Sequence, residues 1–265
     1  MKRTLAACLA LAAVVCLLVG SVVQAQNGAR GGQPSAAPTP RSWYLVNVVT
    51  LKPDMANDWV EFQKTQTIPM QKKGGMKDRD VWQSGAPFGE GFTYATLTPI
   101  TKFVDYDQPP LVVRTLGADA ARAYGDKLRR MVASQRSYAI QDRAELSIPP
   151  GPNTKFVGAI LTETTIVNGH AAQYEAYIKD ELLPTLKKGN VPGFVVARTI
   201  FGGDANVYQT VQFFESFGEI DKGPLATRVL GQSGAQAMAA KLTPHVANVN
   251  RTLIRYAPDL SFHVK

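Results

Sequence analysis

The stretch that decides the fold is "PPLVVRTLG", residues 109–117, because it nearly returns as "GPLATRVLG", residues 223–231. Both segments place Pro-Leu, then Arg, Leu and Gly at one spacing. Working outward, an offset of 115 residues carries Pro69, Lys72, Lys73 and Gly74 onto Pro184, Lys187, Lys188 and Gly189. After a one-residue gap, an offset of 114 carries Tyr94 onto Tyr208, Phe103 onto Phe217 and Asp107 onto Asp221. The same offset carries Lys127-Leu128 onto Lys241-Leu242 and Leu146-Ser147 onto Leu260-Ser261. Two offsets joined by one gap read as two copies of one unit, within residues 43–150 and 151–265. A period this long points to a duplicated domain and not to a solenoid, whose repeats run roughly 20–50 residues.

Each copy reads in the same coarse order. A β-branched run opens it, "WYLVNVVTL" or "KFVGAILTETTI". A helix follows, with Asp54 as its expected N-cap in the first copy and Tyr174, Tyr177, Ile178 and Leu182 at helical spacing in the second. Pro69 and Pro184 near its end predict a kink. A hairpin comes next: "DVWQSG" and "FTYATLTPI" around "APFGEG", then "FVVARTIF" and "VYQTVQFFE" around "GGDAN". The opening motif leads into a long helix, expected over 118–135 and 232–249, and a last strand closes each copy. The order β-α-β-β-α-β is the split βαβ, ferredoxin-like unit. Its four-stranded sheet has helices on one face and leaves the other open, so a second copy can cover it, sheet facing sheet.

In element order, copy length and open sheet face the chain resembles the dimeric α+β barrel superfamily, in its NIPSNAP-like and antibiotic-biosynthesis-monooxygenase-like branches. The resemblance spans nearly all of the chain after residue 42. It implies an α+β fold of two tandem ferredoxin-like units closed into a pseudo-dimeric barrel. That superfamily includes cofactor-free monooxygenases, haem-handling proteins and small-molecule isomerases.

The first 25 residues read as an export signal: Lys2 and Arg3, an apolar run from Leu5 to Val23, and Val23-Gln24-Ala25 as a small-x-small cleavage site. The run is also about long enough to serve as a membrane anchor; the cleavage site and the polar, Gly/Pro-rich sequence that follows favour removal. The expected location is therefore periplasmic or secreted, with no membrane contact after cleavage. Residues 26–42, "QNGARGGQPSAAPTPRS", have no apolar periodicity and read as a disordered linker. Both cysteines, Cys8 and Cys16, lie in the signal, so the remainder has no disulfide, thiolate metal site or cysteine nucleophile. The formal charge of the full chain is +8. Its basic residues are dispersed, and Lys72-Lys73 and Lys187-Lys188 fit helix C-termini, so no nucleic-acid partner is expected.

No GxSxG, HExxH, phosphate loop or GxGxxG occurs. The three histidines, His170, His245 and His263, do not form a metal-ligand pattern. No cofactor is expected, with haem held by His245 as the alternative. The ligand-binding candidates are Tyr94, Tyr208, Trp82, Arg198, Glu163 and Arg255, polar and aromatic residues on strands that line a barrel on one face. The competing reading makes Tyr94 and Tyr208 core tyrosines, and alternation alone does not choose the inward face. Arg114 and Arg228, with Asp107 and Asp221 as acid partners and Gly117 and Gly231 as turn residues, are expected to pin the corner before each long helix. The expected role is binding of a small apolar or aromatic molecule. The alternatives are a cofactor-independent monooxygenase or isomerase using Tyr94, Tyr208 or Trp82, and a non-catalytic assembly module.

Overall fold

In each unit the sheet has the strand order that a ferredoxin-like unit requires. The computed structural model describes residues 42–84, 91–151 and 154–264. The expected signal (1–25) and all of the linker but Ser42 lie outside the described residues, as does the "APFGEG" loop apart from Gly91. The first unit contributes β1 (Trp43–Leu51), β2 (Asp78–Ser84), β3 (Thr93–Ile100) and β4 (Val132–Asp142). The second contributes β5 (Gly158–Ile166), β6 (Phe194–Phe201), β7 (Val207–Phe214) and β8 (Val246–Tyr256). Pairing runs β4-β1-β3-β2 in the first unit and β8-β5-β7-β6 in the second, antiparallel throughout. The units join at both edges, β4 with β6 and β2 with β8, so eight strands close into a ring. A short β9 (Phe262–His263) adds to β2. The fold is α+β with a closed antiparallel barrel, and closure removes the unpaired edges that a lone four-stranded sheet would present.

The helices lie outside the barrel. Each unit starts with a helical run broken in the middle: α1 (Ala56–Phe62), a π-helical turn Gln63–Thr67 and α2 (Ile68–Lys73), matched by α5 (Ala171–Tyr177), Ile178–Leu182 and α6 (Leu183–Lys188). The expected proline kink takes this form. Pro69 and Pro184 follow the wide turn directly, where the ring would otherwise press on the carbonyl four residues back. Asp54 does not cap the helix; it sits in a 3-10 turn, Pro53–Met55, and no side chain caps that turn.

The opening motif forms α3 (Leu111–Leu116), then α4 (Ala118–Met131). In the second unit, after the short α7 (Gly218–Asp221), it forms the start of α8 (Leu225–Leu242). Gly117 (φ 82°) and Gly231 (φ 72°) make the sharp corner, a backbone region that other residues rarely enter. The two repeated motifs touch each other. A Cβ on Gly74 or Gly189 would stand 2.6 Å from Leu111 Cδ1 or Leu225 Cδ1, so each Pro-Leu packs onto a Lys-Lys-Gly. Both long helices end earlier than the sequence suggests, at Met131 and Leu242, because the following residues pair with β1 and β5 instead (Val132 with Leu51, Val246 with Ile166). A ladder partner on the sheet outweighs modest helix propensity.

Two outer cores fill the space between helices and barrel wall. Trp59, Phe62, Val81, Tyr94 and Met131 build the first, and Tyr174, Tyr177, Ile178, Phe194 and Tyr208 the second. The units exchange side chains here. Leu260 of the second unit packs in the first unit's core, and Leu146 of the first packs in the second's. Beside each leucine a serine closes the seam. Val196 N–H donates to Ser147 Oγ and Val81 N–H to Ser261 Oγ, both at 2.9 Å, and these hydroxyls donate in turn to Arg143 O and Ala257 O. The repeated Leu-Ser is a reciprocal clasp.

Candidate functional site

Strand alternation puts one set of side chains inside the barrel: Tyr44, Val46, Val48 and Thr50 from β1, Asp80 and Trp82 from β2, Ala95 and Leu97 from β3, Arg136, Tyr138, Ile140 and Asp142 from β4. The second unit adds Leu161, Glu163, Val195, Ala197, Gln209, Val211, Phe213, Asn250 and Thr252. They surround a cavity of about 1790 Å³. That is larger than the ~300–1,000 Å³ of ordinary ligand pockets.

The lining is polarised. Near the starts of β1 and β5, Trp82, Phe156, Phe213 and Tyr256 form an aromatic cluster, with Trp82 stacked on Phe156 at 5.6 Å and Phe156 against Phe213 at 4.9 Å. Tyr256 OH donates to Asp80 Oδ1 at 3.2 Å. Burial raises the pKa of Tyr44, and the carboxylates of Asp142 and Asp80 add to it. Burial also raises Asp142 above the usual carboxylate range. Toward the other end, Arg136 on β4 reaches Glu163 on β5 at 3.3 Å and lies over the Tyr138 ring at 5.1 Å. Burial, then the Glu163 charge, pushes the Tyr138 hydroxyl up to about 12, so it is a neutral donor at physiological pH. A smaller recess of about 230 Å³ lies beside the β6–β7 hairpin, and it shares Arg136, Tyr138, Glu163, Gln209 and Asn250 with the main cavity.

Of the residues picked out from the sequence, the structure brings Trp82 and Glu163 to the cavity. Tyr94 and Tyr208 stand on the opposite strand face, since Thr93, Ala95, Leu97, Gln209 and Val211 are the inward set. Tyr94 is 7 % exposed against Trp59, with ring centroids 4.6 Å apart. Tyr208 is fully buried against Tyr174 and donates to Glu175 Oε1 at 2.5 Å, while Arg143 grips the same carboxylate with both terminal nitrogens. Arg198 donates to Ala205 O at 2.8 Å and holds the hairpin turn. Arg255 lies over the Phe217 ring at 4.5 Å, beside the cavity. Arg114 Nε donates to Pro109 O at 2.9 Å. Among the described residues neither Arg114 with Asp107 nor Arg228 with Asp221 forms an ion pair; Arg228 acts instead on Glu219, whose carboxyl Lys222 holds below its usual range.

Sequence reasoning missed Arg136, Tyr138, Gln209 and Asn250. The alternation Ser134, Arg136, Tyr138, Ile140, Asp142 was the available signal, hidden by extending the preceding helix to residue 135. It also kept the histidines apart, whereas His170 and His245 meet at 3.0 Å between their Nδ1 atoms, behind the barrel wall. The chain positions they occupy in the second unit are held in the first by Met55 and Met131.

No family model and no curated protein matches the chain. Solved structures match it over most of both chains. A proposed monooxygenase from Lactobacillus acidophilus has a TM-score of 0.55 at 8% identity, covering 84% of this chain and 97% of its own. An anthrone oxidase-like protein has a TM-score of 0.55 at 11% identity, covering 82% and 94%. Likeness at such identity shows the shared α+β barrel fold. A heme-binding protein from Thermus thermophilus is also among the matches, with a TM-score of 0.43 at 10% identity over 83% and 93%. That match, with chlorite dismutases beside it, corrects the expectation that no cofactor is used, and the expectation is withdrawn. The usual axial ligands of haem are His, Cys, Met and Tyr. Among the described residues lining the cavity, only the tyrosines are of these types, and burial keeps Tyr44 and Tyr138 protonated. His245 does not line it. The cavity side chains do not fit an axial iron ligand.

Proposed function

We propose that the barrel binds a small molecule with an apolar or aromatic body. The observation that carries this reading is the aromatic cluster around Trp82 inside a cavity that two sheets leave open between them. Apolar walls with a few placed polar groups suit small molecules. A panel of aromatic and aliphatic compounds, followed by thermal shift and native mass spectrometry, tests it. Compounds with fused rings should raise Tm and remain bound, and Trp82→Ala should weaken them. No retained compound and no shift across the panel would sink the reading.

A second reading is an enzyme acting in the same barrel, a monooxygenase or isomerase. Tyr138 favours it: a phenol kept neutral beside a guanidinium can donate to a substrate carbonyl as charge develops there. We also propose that residues 43–150 and 151–265 descend from one duplicated unit, close to the NIPSNAP-like branch, and that the chain is exported with loss of residues 1–25. A mature N-terminus at Gln26, read by sequencing the secreted protein, checks the export.

A further inference from the structure

The polar end of the cavity gathers polar side chains around one carboxylate, Glu163. In register, Glu163 stands opposite Gln209 on β7, whose amide nitrogen donates to Thr199 Oγ1 at 2.9 Å, and opposite Asn250 on β8. From across the barrel Arg136 reaches its Oε1 at 3.3 Å. The strand order places β6 and β7 between β4 and β5, so this guanidinium spans the barrel instead of linking neighbouring strands. Tyr138 supplies a further hydroxyl from beneath the guanidinium. All of these groups line both the main cavity and the recess beside the β6–β7 hairpin. The pair is loosely held: Arg136 is 63 % exposed, and ion pairs of this kind contribute little.

We propose that this end is a carboxylate-recognition site in which Glu163 occupies the place of the ligand's carboxylate, so that an aromatic carboxylate entering the barrel takes Arg136 from Glu163 and lays its ring system toward Trp82. A planar guanidinium fork matches a carboxylate with two parallel bonds, which the single contact to Glu163 does not use. The first unit carries Val48 where the second carries Glu163, and the second carries Asn250 where the first carries Arg136, so the barrel has one such site and not two. The proposal rests on the small-molecule reading above.

The test uses 2-naphthoate and its neutral isostere 2-naphthamide, titrated by calorimetry into the wild type, Glu163→Gln and Arg136→Gln. Removing the internal carboxylate charge should tighten 2-naphthoate by about tenfold and leave 2-naphthamide unchanged. Arg136→Gln should erase any preference for the carboxylate. If both probes bind but Glu163→Gln leaves 2-naphthoate no tighter, the carboxylate assignment is wrong while the binding barrel stands. If neither probe binds any of the three proteins, both fall.

Discussion

The two outer cores are both apolar in the main but differ in one patch. Under the first helical run lie Gln63, Thr67, Gln71, Arg79 and Tyr124; the same chain positions in the second unit hold Ile178, Leu182, Leu186, Phe194 and Met238. Arg79 is 2 % exposed. Its terminal nitrogens donate to Gln71 Oε1 at 2.8 Å and Gln63 Oε1 at 2.7 Å, both neutral acceptors, and among the described residues its buried Nε has no partner. Burial lowers its pKa to about 10, with only Tyr124 opposing. Thr67 and the Tyr124 hydroxyl meet at 2.7 Å and complete the polar cluster. The fold therefore accepts either filling, provided that the whole set changes together. A buried guanidinium needs its amide partners, and an apolar set needs none.

The comparison breaks most sharply by moving one residue across it. Phe194→Arg would bury a charge among Ile178, Leu186 and Met238, and should cost more than about 4 kcal/mol or prevent folding. Arg79→Ala strands the buried Gln63 amide oxygen, frees the half-buried Gln71 oxygen and leaves a void, for a loss of about 2–4 kcal/mol in chemical denaturation. Exchanging all five polar residues for their second-unit counterparts should instead leave stability unchanged or raise it by about 1–2 kcal/mol. Tyr208→Phe removes the donor to Glu175 and should cost about 1–2 kcal/mol, more than Tyr94→Phe. The smallest effect is spectroscopic. Tyr138 should ionise near pH 12 instead of 10, so the difference between wild type and Tyr138→Phe in phenolate absorbance should appear late in an alkaline titration. Because the folded-state pKa is raised, Tyr138 adds stability below pH 10 that is lost as pH climbs through 12.

Much of the architecture was legible from spacing. The repeated Pro-Leu, Lys-Lys-Gly and Leu-Ser motifs each occupy a contact that the fold makes twice, which is why they recur: Leu111 on Gly74, Leu225 on Gly189, Ser147 and Ser261 on facing strands. The site was less legible for the same reason. Outside the barrel the aromatic Tyr94 and Tyr208 recur and draw the eye; inside it the positions differ, Val48 with Glu163, Tyr138 with Thr252, Trp82 with Ala197. A strand buried on both faces shows no polar alternation to tell inside from outside. The parity of β3 and β7 was therefore open until their pairing fixed it.

The reciprocal serine clasp makes the seam between units a place to divide the molecule. Each half lends its last turn to the other, and each half alone would leave two strand edges without partners. Two polypeptides, cut in the connection between Pro150 and Phe156, would thus find on each other the partners that those edges lack. A split at this seam would turn the fold's closure into an encounter between two chains.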